Sequence, residues 1–152
     1  MKIYLNDAEI AIAKYLAQER YKNNRNSNTD NRRIGPQSDE ETDLNGIGGE
    51  IAFCKRANIY PDINTYRRPR QDAFIRPGIG VDIKTTKYEN GKLVVASWKR
   101  NEPTNYYALV VGTFPNYRIV GVIAADEVFR SENIGDLGYG PCYVIDQDKL
   151  RG

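Results

Sequence analysis

The chain contains no histidine. That absence excludes Ser-His-Asp and Cys-His nucleophilic catalysis, His-ligated metal sites and the usual general base at neutral pH. Its two cysteines, Cys54 and Cys142, lack metal-ligand spacing and read as reduced, buried small hydrophobes. No apolar run has transmembrane length and MKIYLNDAEI carries no signal-peptide pattern, so a cytoplasmic protein without membrane contact is expected. The chemistry left to such a chain runs on carboxylates, lysine, tyrosine or a metal held by oxygen. Hard oxygen ligands point to Mg2+ or Mn2+ rather than zinc.

What is present is an ordinary globular composition, 40% hydrophobic and 28% charged over 152 residues, enough for one domain with its own core. The net charge of +2 is unevenly spread: residues 65–100 hold nine Lys/Arg against three Asp/Glu, while the segments on either side are mildly acidic. A positive stretch of this kind suits a polyanion such as nucleic acid.

Two helices are expected first. In NDAEIAIAKYLAQERY, residues 6–21, Asn6 and Glu9 have capping-box spacing, and Ala11, Ile12, Tyr15 and Leu16 recur at helical intervals. Residues 22–37 have almost nothing to bury and read as a mobile loop. Ser38 and Glu41 make a second capping box before a stripe of Leu44, Ile47, Ile51 and Cys54. Gly46, Gly48 and Gly49 are costly in a helix, at roughly 1 kcal/mol each against Ala. Either something approaches the backbone closely there or the helix begins later, near Gly49.

Beyond Tyr60-Pro61 the sequence turns strand-rich. DAFIR, VDIKTTKY, KLVVASW, YYALVVGTF and YRIVGVIA are five candidate strands, followed by a short helix ADEVFR and a short strand CYVI. The fold class expected is α+β: N-terminal helices packed on one central, mixed, twisted sheet of about five strands. Residues 1–43 would be a helical extension and 44–152 the core. VDIKTTKYENGKLVV reads as a hairpin about Asn90-Gly91. A three-residue loop at Pro77–Ile79 would pair Arg76 with Gly80. It would put Ala73, Ile75, Val81 and Ile83 on one face and Asp72, Phe74, Arg76, Asp82 and Lys84 on the other. That register clusters Asp72, Asp82 and Lys84. Surface ion pairing contributes only about 0 to 1 kcal/mol and gives little reason for such a cluster, whereas a divalent-cation site does.

Glu50 in GGEIAF, Asp72 in QDAFI, and Asp82 with Lys84 in VDIKTT resemble the PD-(D/E)xK nuclease superfamily. In that superfamily a helix glutamate precedes a strand aspartate and an Asp/Glu-x-Lys on the next strand. The second half of the chain also looks like small nuclease-like proteins of bacteriophages, which would set it in the host cytoplasm. The resemblance implies a metal-dependent deoxyribonuclease of low sequence specificity. Asp72, Asp82, the Ile83 carbonyl and Glu50 would hold Mg2+ or Mn2+, and Lys84 would orient or deprotonate the attacking water. Pro61-Asp62 is the literal Pro-Asp of the chain, but Asp62 sits where a turn is expected and Asp is locally favoured. Arg67, Arg68, Arg70, Lys87, Lys92, Lys99 and Arg100 are candidate phosphate contacts on DNA rather than RNA. Trp98, Tyr106 and Tyr107 are either base-stacking or core residues. Cutting both strands of a duplex would call for a homodimer. The competing expectation is a nuclease-fold protein that binds nucleic acid or a host protein without cutting, in an accessory or counter-defence role.

Overall fold

The computed structural model describes residues 2–26, 39–65, 72–138 and 140–152. Helix α1 (Asp7–Asn26) begins with the expected capping box: Glu9 N donates to Asn6 Oδ1 at 2.9 Å and Asn6 N donates to Glu9 Oε1 at 2.8 Å. Its inward face is Ala13, Leu16 and Arg20, with Ile10 and Ala17 beside them; of the stripe expected, only Leu16 is buried, and Ala11, Ile12 and Tyr15 are exposed. The helix runs past Tyr21 into the stretch read as a loop, because its last turns are anchored. Arg20 Nε donates to Asn64 O at 2.9 Å, Arg20 Nη2 to Asp62 O at 2.8 Å and Asn23 Nδ2 to Thr65 O at 2.6 Å. The rest of that loop, with the Ser38 cap, lies outside the described residues.

Helix α2 (Asp39–Ala57) runs straight through its glycines. It ends on Asn58, whose φ of 58° is left-handed, with Ile59 N reaching back to Cys54 O at 3.0 Å. Two of the three glycines are explained by close approach. A Cβ on Gly49 would lie 2.0 Å from Thr85 Oγ1, and one on Gly48 would lie 2.2 Å from Tyr117 Oη, whereas Gly46 has nothing within 4 Å. Asn45 locks the same helix to the far end of the sheet. Its Nδ2 donates to Gly112 O at 3.1 Å, and its Oδ1 accepts from Phe114 N at 2.9 Å.

The strands are β1 (Lys2–Tyr4), β2 (Ala73–Arg76), β3 (Ile79–Thr86), β4 (Leu93–Ala96), β5 (Tyr106–Thr113), β6 (Asn116–Ala124), β7 (Ile134–Asp136) and β8 (Pro141–Ile145), with a one-turn helix α3 (Ala125–Val128) after β6. A mixed five-stranded sheet runs β1-β6-β5-β3-β2, in which β3 and β5 are parallel and every other pair antiparallel. The fold is α+β, with the helices packed on this sheet. A second, three-stranded sheet, β4-β8-β7, covers its other face. Among the described residues no helix is long and apolar enough to cross a membrane.

Two expectations are corrected here. The Asn90-Gly91 turn forms, with Gly91 N donating to Tyr88 O at 2.9 Å, but β3 and β4 do not pair across it. One edge of β3 is taken along its length by β5, and the other carries β2 over Ile79–Val81 and the Asp72 side chain at Ile83 N, while β4 pairs with β8. Gln147 holds the turn away from β3 by donating to Glu89 O at 2.9 Å and Gly91 O at 2.8 Å. Nor does the PGIG loop span three residues. Arg76 pairs with Ile79, and an irregularity between Phe74 and Arg76 moves Ala73 opposite Val81. Gly78, at φ 83°, supplies the left-handed residue of this tighter turn. The expected faces survive for Ala73, Val81 and Ile83, which are buried, while Ile75 at the bulge is exposed.

Alternation along β3 and β5 makes two cores. Val81, Ile83, Ala108 and Val110 pack beneath Ala13, Leu16, Ile47, Ile51 and Ala52 of the helices. Tyr107, Leu109 and Val111 pack against Leu93, Val95, Tyr143 and Ile145 of the second sheet. Cys54 is buried and free, as expected, and so is Cys142.

Candidate functional site

Parallel partners share a face, and β3 pairs Asp82 with Tyr107 and Lys84 with Leu109. Asp82 and Lys84 therefore face the space between the two sheets rather than open solvent. Asp82 is 2% exposed. Its Oδ1 lies 3.0 Å from Lys84 Nζ, and its Oδ2 accepts a hydrogen bond from Lys99 Nζ. Lys99 arrives on a 3-10 helix (Ser97–Asn101) that belongs to the connection from β3 through β4 to β5. Parallel neighbours require such a crossover, and here it passes over the Asp82 face.

Asp72 approaches along the edge of the sheet. β2 begins at Ala73, opposite Val81, so the ladder stops there, and Ile83 N donates to Asp72 Oδ2 at 2.7 Å instead. The carbonyl of a strand residue points to the same side as its N–H, so that of Ile83 lies along this edge too. Glu50 comes from α2, which covers the opposite face of β3. It and Asp72 both act on Cys54, whose thiol is pushed up to about 12 by burial first and then by the charges of Glu50, Asp72 and Asp62. The structure thus pairs Asp82 with Lys84, adds Lys99, and sets Asp72 at the edge of the same strand, where its carboxylate meets the Ile83 amide and acts on Lys84. It sets Glu50 across the sheet from Asp82.

The charges in the cluster constrain one another. Burial pushes the Asp82 carboxyl up, but Lys84 and Lys99 outweigh it and hold it below the usual carboxylate range. Burial pulls Lys84 down, but Asp82, Lys99 and Asp72 together raise it above an ordinary lysine. Lys99 is lowered, by burial and then by the like charge of Lys84, with Asp82 compensating only in part. Tyr107, below Asp82, is pushed up to about 12 by burial and that carboxylate.

Of the candidate phosphate contacts, Lys99 is committed to Asp82, and Lys92 Nζ pairs with Asp146 Oδ1 at 3.1 Å. Lys87 and Arg100 are exposed, with Lys87 Nζ 5.5 Å from the Tyr88 ring centroid. Arg67, Arg68 and Arg70 lie outside the described residues. Tyr107 is core, whereas Trp98 is 47% exposed and stands next to Lys99. Asp62 makes the local turn expected of it, accepting from Asn64 N at 3.0 Å. Lys99 as a partner of Asp82 was not visible in the sequence; its only signal was membership of the basic segment. Among the described residues no three Cys, Asp or Glu side chains are grouped to hold a metal ion.

Fold and site together define a three-layer α+β protein, helices and a second small sheet on opposite faces of the central sheet, with a buried lysine–aspartate cluster at the start of its parallel strand pair. The chain belongs to DUF5843, a family of unknown function, whose model matches residues 2–149. No curated protein and no solved structure matches it.

Proposed function

We propose that the protein is a metal-dependent phosphodiester hydrolase acting on DNA. The observation that supports this most is the bond from Ile83 N to Asp72 Oδ2, which brings one carboxylate to the residue beside Asp82, with Lys84 one residue further on. Magnesium is commonly held by one or two carboxylates, with waters and substrate phosphate completing its shell, so Asp72, Asp82 and the Ile83 carbonyl suit it without a third acidic group. Bound Mg2+ or Mn2+ would polarise the scissile phosphate and make a water nucleophilic.

The residues of the chain do the rest. Asp72 is oriented by the Ile83 amide. Asp82 holds Lys84 protonated when no metal is bound, and beside a bound metal Lys84 would orient or deprotonate the attacking water and offset charge developing on the phosphate. Glu50, on the far side of β3, would act through water at most.

One observation favours a second reading, a protein that binds nucleic acid or a host protein without cutting: both carboxylate oxygens of Asp82 already face ammonium groups. The two readings separate in one assay. Wild type, Asp82→Ala and Lys84→Ala are incubated with supercoiled, linear, single-stranded and branched DNA in Mg2+ or Mn2+, with binding followed by gel shift. Hydrolysis by the wild type alone supports the enzyme. Binding with no cutting, or equal cutting by all three, overturns it.

A further inference from the structure

Asp82 cannot receive a metal ion as it stands. Lys84 covers Oδ1, Lys99 covers Oδ2, and the side chain is 3% exposed. A divalent cation added to two ammonium groups around one carboxylate would meet strong like-charge repulsion in a site with little water to screen it. One lysine has to leave. Lys84 is fixed two residues along the same strand, as part of the sheet that forms the site. Lys99 sits on a 3-10 helix of five residues, none of them buried. In the same position its Nζ is 5.5 Å from the centroid of the Trp98 ring, which opens to solvent, so the ammonium already stands at the rim of the cluster beside a cation-binding face.

We propose that Lys99 is a built-in competitor of the divalent cation. Its ammonium neutralises Asp82 when no metal is bound and yields Oδ2 when the metal arrives. The inference builds on the hydrolase reading in taking Asp82 as a metal ligand, and it adds a regulation that reading lacks. Metal affinity is held below what the two carboxylates would give alone. The displaced ammonium becomes available to a phosphate, so polyanion and cation strengthen each other's binding, and by linkage they do so equally.

Trp98 is the single tryptophan of the chain, which makes it a reporter beside Lys99. Wild type, Lys99→Met, Lys99→Arg and Asp82→Asn are titrated with Mg2+ while tryptophan emission is followed, and Mn2+ affinity is measured by calorimetry. The wild type should show a saturable emission change that Lys99→Met lacks. Lys99→Met should bind Mn2+ about tenfold more tightly, Lys99→Arg should resemble the wild type, and Asp82→Asn should lose binding. Equal affinity of wild type and Lys99→Met, binding with no emission change in the wild type, or no binding by either protein would overturn the proposal. The emission readout needs no variant to fold. DNA cleavage measured alongside separates the two claims: release of Lys99 without cleavage sinks only the hydrolase reading, and cleavage with unchanged affinity in Lys99→Met sinks only this one.

Discussion

Asp82 is a carboxylate almost without solvent, and only the two ammonium groups against it make its burial tolerable. Removing one partner of a buried ion cluster leaves charge that nothing compensates, at about 3 to 5 kcal/mol. Asp82→Asn keeps the shape and removes the charge, leaving Lys84 and Lys99 to repel each other. It should lower unfolding stability at neutral pH by about 3 kcal/mol, the lower end of that range because Lys84 can reach water. The pH dependence follows from the depressed Asp82 pKa. Stability from that carboxylate is fully present above its unfolded pKa of about 3.9 and is lost as the pH falls through the lower folded value. The gap between wild type and variant should therefore hold steady above pH about 4 and close below it. Urea unfolding of both proteins from neutral to acid pH reads this directly; equal stability at pH 7 would mean that the carboxylate compensates nothing.

At the scale of elements, the site depends on how closely α2 can lie on β3. Gly49 faces Thr85, the neighbour of Lys84, and an added Cβ would stand 2.0 Å from Thr85 Oγ1 and 3.0 Å from Thr85 Cβ. The β-branched threonine has few rotamers in which to escape. Gly49→Ala should cost about 1 to 3 kcal/mol despite the better helix propensity of alanine, whereas Gly46→Ala, with open space around it, should gain up to about 1 kcal/mol. Thermal melts of the two variants should move in opposite directions. This contact also shows what the sequence could and could not tell. The glycine run announced a close approach, and the capping box at Asn6 and Glu9 was legible because both are local signals. The alternation of β3 correctly put Val81 and Ile83 inward. The hairpin was misread because an Asn-Gly turn specifies a reversal of the chain but not which edge the returning strand finds. Strands β1 and β7 have three residues each, too few to show a period. The bulge at Ile75 changed the register by an even step, so Asp72 still came to the side of β3, at the Ile83 amide, while Lys84 pairs with Asp82. Lys99 met Asp82 through a crossover that no local pattern encodes.

At the scale of the whole molecule, folding redistributes the positive segment seen in the sequence. Lys84 and Lys99 are drawn into the space between the two sheets by Asp82, and Lys92 is paired with Asp146 beside β8, so with no metal bound these three do not present free charge to a polyanion. Lys87, just past the end of β3, and Arg100, beside Lys99, remain exposed on the two chain segments that frame the cluster. If the protein binds DNA through this face, those two carry phosphate contacts among the described residues and Lys92 does not. Each phosphate contact contributes about 0.9 to the slope of log affinity against log salt on duplex DNA, through release of a condensed counterion. Lys87→Ala and Arg100→Ala should each flatten that slope by about 0.9 and weaken binding similarly across sequences, while Lys92→Ala should leave it nearly unchanged because its charge is already balanced by Asp146. Fluorescence anisotropy with a labelled duplex over a salt series measures all four proteins. A slope altered most by Lys92→Ala, or by none of the three, would move the nucleic-acid face away from the Asp82 cluster and with it the argument that DNA is what the cluster acts upon.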